Sequence, residues 1–235
     1  MATYALGRIR TSASSDPITF AYTVAGGDHV IVLFIKGDST NSRTGGAPTL
    51  GLYTFTQAST TQKAASLPEV SAELWYLLDP QPGTYTLTIP NTGAIATKHT
   101  VAIGRATPGW KIAVPVAGFD AGANGTSVDP APGNVTVTAD MGIAFAMVAS
   151  GAQTWAPSAQ VGTLIANTDD GSHGGGEQYA LNPAIGSLNL GWTFGTSDDW
   201  GAVAAWFGEV VVNALENYHT PSCASAGVMS VGGIG

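Results

Sequence analysis

Apolar and polar residues alternate along most of this chain in short runs, and Gly, Pro, Asn or Asp interrupts each run. Period-2 alternation is the pattern of a strand with one buried face. PITFAYTV, residues 17–24, sets Ile18, Phe20, Tyr22 and Val24 against Thr and Ala. HVIVLFIKG follows a Gly-Gly-Asp turn at 26–28. It is a continuous, largely β-branched run, which predicts a strand buried on both sides. The polar stretch GDSTNSRTGGAP then reads as a loop, and TLGLYTFTQ as another strand.

Residues 73–89, ELWYLLDPQPGTYTLTI, hold two strands and a reversal. In the first, Ala72, Leu74, Tyr76 and Leu78 share one face; Ser71, Glu73, Trp75, Leu77 and Asp79 share the other. DPQPG supplies prolines that cannot donate to a ladder. TYTLTI then turns Tyr85, Leu87 and Ile89 inward and Thr84, Thr86 and Thr88 outward. The two strands either pair as a hairpin or lie close in adjacent sheets. The rhythm continues through KHTVAIGRA, MGIAFAMVAS, SLNLGWTFG and WGAVAAWFGEVVV. It amounts to roughly thirteen to fifteen strands, too many for an immunoglobulin sandwich. The only short helical candidate is NALENYH. The expected fold is therefore all-β: a two-sheet, lectin-like jelly-roll sandwich with an extended carboxyl-terminal arm.

Residues 17–212 read as one sandwich domain, with residues 1–16 an amino-terminal strand or arm. Residues 213–235 differ: they are small, nearly uncharged and too Gly-rich for a helix. They form either a flexible end or an arm that orders on a neighbouring subunit, with Leu215, Tyr218, Val228, Met229, Val231 and Ile234 as its anchors.

Composition sharpens this picture. Charged residues make up 10% of the chain, against about 25% in an ordinary soluble domain. Apolar residues reach 44%, which excludes a disordered chain. Net charge is −8 and the eight Lys and Arg are scattered, so no basic patch for nucleic acid exists. The single Cys223 cannot form an intramolecular disulfide. The opening residues lack the apolar core of a secretory signal, and no run is long enough for a membrane helix. The expectation is synthesis in a cytoplasm, with export only by lysis or a non-standard route.

Few residues nominate chemistry. Asp198 and Asp199 beside Trp200 form the most polar cluster, but adjacent strand residues face opposite ways, which suits a turn leading Trp200 into the core. NTDDGSHGGGE offers Asn167, Asp169, Asp170, His173 and Glu177 as oxygen-rich loop ligands for Ca²⁺, without EF-hand spacing; a solvated loop is the plainer reading. His29, His99, His173 and His219 form no zinc signature, G-x-S-x-G is absent, and no cofactor motif is present. Asn124 and Asn134 match glycan-acceptor triplets. Among the tryptophans, Trp75, Trp192 and Trp206 sit in strand patterns and are expected in the core. Trp110 and Trp155 lie near loops and are the candidates to stack on a ligand.

The succession of ELWYLLDPQPGTYTLTI, TVAIGRATPG…VAGFDAG and GWTFGTSDDWGAVAAWFGE resembles a loosely defined group of jelly-roll or lectin-like domains. These occur in bacteriophage structural proteins and in bacterial surface proteins. The matching positions are Glu73, Trp75, Pro80, Gly83 and Thr84, then Ser197, Trp200 and Ala202, within a region of about residues 17–207. The resemblance implies a non-enzymatic virion protein, a capsid decoration, head fibre or tail component. Its partners would be copies of itself and other virion proteins, with no nucleic acid or membrane. A carbohydrate-binding or adhesive module that meets a host glycan is the alternative.

Overall fold

The computed structural model describes residues 1–13, 17–38, 46–64, 70–90, 96–114, 118–151, 155–157, 162–169 and 173–212. Within them the protein is all-β, with twenty strands and antiparallel pairing throughout.

The first half of the chain builds two sheets. An inner sheet runs in the order β1 (Thr3–Ala13), β10 (Ala96–Arg105), β3 (Val30–Asp38), β8 (Val70–Leu78) and β6 (Thr56–Gln57), with β7 (Gln62–Lys63) also paired to β8. An outer sheet runs β2 (Ile18–Val24), β9 (Gly83–Ile89), β4 (Thr49–Leu50) and β5 (Tyr53–Thr54). The second half repeats the arrangement. Its inner sheet is β11 (Trp110–Ala113) and β12 (Asp120–Ser127), both on β20 (Asp198–Val211), then β14 (Gly142–Gly151), β17 (His173–Leu181) and β16 (Thr163–Asp169). Its outer layer holds the pairs β13 (Asn134–Val137) with β18 (Gly186–Asn189), and β15 (Trp155–Pro157) with β19 (Trp192–Phe194). The inner order β1-β10-β3-β8 thus has its counterpart in β12-β20-β14-β17, and the outer pair β2-β9 in β13-β18.

The two inner sheets stack face to face, giving four layers with three apolar interiors. This explains the uninterrupted apolar runs. Along β3, Val30, Val32 and Phe34 enter the central core, while Ile31, Leu33 and Ile35 face the outer sheet and meet Ile18, Phe20, Leu87 and Ile89. All ten residues of β14 are buried in the same way: Phe145 and Met147 face the centre; Ala144, Ala146 and Val148 face outward. The alanines of β14 and β20 leave room for Trp192, Trp200 and Trp206 in the outer interior. Each fully buried large apolar side chain contributes about 1.5–3 kcal/mol.

The stretch at 73–89 is not a hairpin. Strand β8 pairs with β3 in the inner sheet and β9 pairs with β2 in the outer one, so the turn crosses between layers. Asp79 has φ of 43°, which Asp tolerates, and its N–H donates to the His29 carbonyl at 2.8 Å. Pro80 and Pro82, lacking N–H groups, suit a segment that leaves a ladder.

The run at 167–177 also departs from the loop expectation. Asn167 and Asp169 stand on β16, and His173 and Glu177 on β17. The glycines between them pair as strand with β14 and β16, and the missing side chain at Gly175 leaves room for Lys36, whose side chain a β-carbon there would meet at 2.9 Å. Glu177 is buried and accepts a hydrogen bond from the Thr100 hydroxyl at 3.3 Å. NALENYH and the expected arm at 213–235 lie outside the described residues.

Candidate functional site

Strand ends from both halves meet at one end of the stack. Strand β3 begins there, β10 ends there, and residues 106–109 lead directly into β11. The turn is closed by the Trp110 N–H donating to the Thr107 carbonyl at 2.9 Å, with Gly109 at φ 84°, a conformation that favours glycine. The N–H of Val212, the residue after β20, returns to donate to the Gly109 carbonyl at 3.1 Å. The result is an open cavity of about 710 Å³, lined among others by His29, Arg105, Thr107, Trp110 and Val212.

Its polar groups are held in fixed positions. Arg105 Nε donates to Asp28 Oδ1 at 2.7 Å, and the Ala25 N–H donates to Asp28 Oδ2 at 2.8 Å. The Asp28 side chain is only 1% exposed, whereas that of Arg105 is 37% exposed, so the guanidinium reaches out from a buried carboxylate. His29 Nδ1 lies 2.9 Å from Asp79 Oδ1, and Lys111 Nζ is 4.0 Å from Asp79 Oδ2. Buried Glu209 accepts from the Thr107 N–H at 3.2 Å and from its hydroxyl at 2.9 Å, which anchors the turn from beneath.

A second cleft of about 340 Å³ opens on the other side of Arg105, between β1 and β2. One of its walls is the bulge in β1 between Leu6 and Arg8. Arg8 Nη1 donates to the Ala21 carbonyl at 3.0 Å and its guanidinium lies 4.6 Å from the centre of the Phe20 ring. The Tyr22 hydroxyl is buried in this wall and, among the described residues, has no hydrogen-bond partner. Burial raises its pKa, Asp28 adds to the rise, and Arg105 opposes it.

Of the residues nominated by sequence, Trp110 is half-buried on the wall of the larger cavity. The backbone of Trp155 pairs with Phe194 in β15; its side chain lies outside the described residues. Leu215, Tyr218, Val228, Met229, Val231 and Ile234 also lie outside them, as does Asp170. Trp75, Trp192 and Trp206 are core residues. Trp200 is 7% exposed and donates to the Ser127 hydroxyl at 3.0 Å, while Asp199 is buried and accepts from the Thr126 hydroxyl. That cluster fastens β20 to β12. Among the described residues no group of His, Cys, Asp and Glu is arranged to hold a metal ion.

Arg105, Asp28 and Arg8 were not singled out by sequence, and His29 was considered only as one of four scattered histidines. Their one signal was charge in a charge-poor chain, with Asp28, His29 and Arg105 at or beside strand ends and Arg8 at the β1 bulge. Guanidinium, imidazole, hydroxyl and indole around an open cavity make an arrangement for holding a polar ligand. No known protein family, curated protein or solved structure matches this chain.

Proposed function

We propose that this protein is a non-enzymatic structural component of a bacteriophage particle, assembling through sheet edges and its carboxyl-terminal segment. The observation that carries this reading is the repeated strand order. In each half an inner order, β1-β10-β3-β8 or β12-β20-β14-β17, faces an outer pair, β2-β9 or β13-β18, a repeat consistent with a jelly-roll topology. Jelly rolls build viral capsid and lectin domains. Two such units sharing one apolar interface make a rigid block, and identical blocks on a symmetric particle multiply modest contacts. Val210 and Val211, 44% and 60% exposed, extend the apolar character of β20 up to the start of the anchor-bearing segment.

The test is light scattering after gel filtration, on the full chain and on a version ending at Val212. Assembly of the full chain alongside a folded, monomeric truncation supports the proposal. Two identical folded monomers overturn assembly through that segment.

A second reading, a glycan-binding module, is favoured by Trp110 on the wall of the 710 Å³ cavity. A pyranose offers an apolar face to an indole and hydroxyls to the polar groups around it. The two readings are compatible on a particle that attaches to a host.

A further inference from the structure

Resting on the second reading, we propose that the Arg105 cavity selects carboxylated sugars, with the carboxylate held by Arg105 and the ring laid against Trp110. The first argument is donor geometry. Arg105 uses Nε on Asp28 and, among the described residues, makes no other hydrogen bond or ion pair, so both Nη groups are available. Two Nη groups of one guanidinium form an end-on fork that matches two carboxylate oxygens. The fork is held in place, because Asp28 beneath it is buried and receives hydrogen bonds on both oxygens.

Charge points the same way. The chain carries −8 overall and has four arginines. Two of them, Arg8 and Arg105, line the smaller cleft, where Asp28 is the one carboxylate among the described lining residues. On the other side of Arg105, the carboxylates near the larger cavity are already engaged. Asp79 lies against His29 and Lys111, and buried Glu209 accepts from Thr107. Among the described residues that line the larger cavity, Arg105 supplies a guanidinium and none supplies a carboxylate. Size agrees as well: about 710 Å³ falls in the range of small-ligand sites and leaves room for a sugar ring beside Trp110. A carboxylate alone would leave the indole unused, and a neutral sugar would leave the fork unfilled.

The experiment titrates the full chain with sodium glucuronate, glucose and sodium acetate by isothermal calorimetry, and repeats the titrations with Trp110→Ala and Arg105→Lys. Glucuronate is expected to bind roughly tenfold more tightly than glucose, the low end for hydrogen bonds to a charged group on a partly exposed guanidinium. Trp110→Ala should weaken glucuronate and leave acetate unchanged. Arg105→Lys keeps a cation beside Asp28 and should erase the preference for glucuronate over glucose; thermal melts verify that both variants are folded. Equal binding of glucose and glucuronate overturns the charge selection and leaves the glycan reading standing. Binding of acetate as tight as that of glucuronate, unmoved by Trp110→Ala, overturns the sugar contact. No binding of either sugar overturns both.

Discussion

Gly7 lies against the hydroxyl edge of Tyr22: a β-carbon at position 7 would stand 2.7 Å from the Tyr22 hydroxyl and 3.2 Å from a Val101 methyl. The bulge in β1 and the absence of a side chain there are thus one adaptation, which lets the inner-sheet edge close over a tyrosine from the outer sheet. Gly7→Ala is expected to cost about 1–3 kcal/mol, the range for overfilling a packed site. Tyr22→Phe removes a buried hydroxyl with no partner among the described residues and should be neutral or mildly stabilising. The double variant should recover part of the Gly7→Ala loss, since the ring edge at 3.1 Å remains. Urea denaturation of the four proteins measures this coupling, and strict additivity would refute the contact.

Removing the cation from the Asp28–Arg105 pair should be costly. Arg105→Met leaves a carboxylate that is 1% exposed without its charged partner, and a loss of about 3 kcal/mol is expected, the lower end because the guanidinium is partly in water. Asp28→Asn combined with Arg105→Met should be clearly more stable than Arg105→Met alone. Chemical denaturation decides the order.

The two halves approach closely where β7 crosses β20. A β-carbon on Gly201 would meet the Gln62 carbonyl oxygen at 2.6 Å and its carbon at 2.8 Å, both backbone atoms that cannot rotate aside. Gly201→Ala should therefore destabilise by at least about 2 kcal/mol. Hydrogen exchange should show the loss of protection concentrated in β7, β8 and β20, and leave β2 and β9 protected.

Stability should fall in alkali. Burial, the leading cause in each case, raises the pKa of Tyr4, Tyr22 and Tyr76 above the usual tyrosine value of 10.0. Above that value the unfolded chain releases these protons while the folded chain retains them. The unfolded state then binds fewer protons, and stability declines as pH rises towards the folded-state values. Below the usual value the contribution is complete and flat. Replacing Tyr4 and Tyr22 together by Phe should make the alkaline limb shallower. Denaturation midpoints on either side of the usual value, with tyrosinate absorbance followed in parallel, give the comparison.

Much of the layering was legible in the residues themselves. The alternation in 17–24 appears as a strand buried at every second position, and the unbroken run at 30–37 as one buried throughout. Partner choice was not legible. Period 2 states which side chains share a face and is silent on which strand lies alongside, so a hairpin and a crossover were equally consistent with 73–89. The repeated strand order was hidden for a similar reason. Its strands β4 to β7 have two residues each, too few to carry a pattern. Trp110 could be picked out from its turn neighbours. Arg105 could not, because its meaning comes from Asp28, 77 residues away in sequence.

Met1, Thr107 and Val212 line the same cavity, so the start of the first half, the joint between the halves and the end of the second half come together in space. The order of the two halves along the chain is therefore a matter of connection more than of architecture. A circular permutant that joins Val212 to Met1 by a short linker and opens the backbone within 106–109 would begin with β11 and end with β10, with both inner sheets still able to stack. Each half enters and leaves at the same end, and that geometry leaves the opposite end of the stack, with its interstrand connections, as the face on which insertions can accumulate without disturbing the fold.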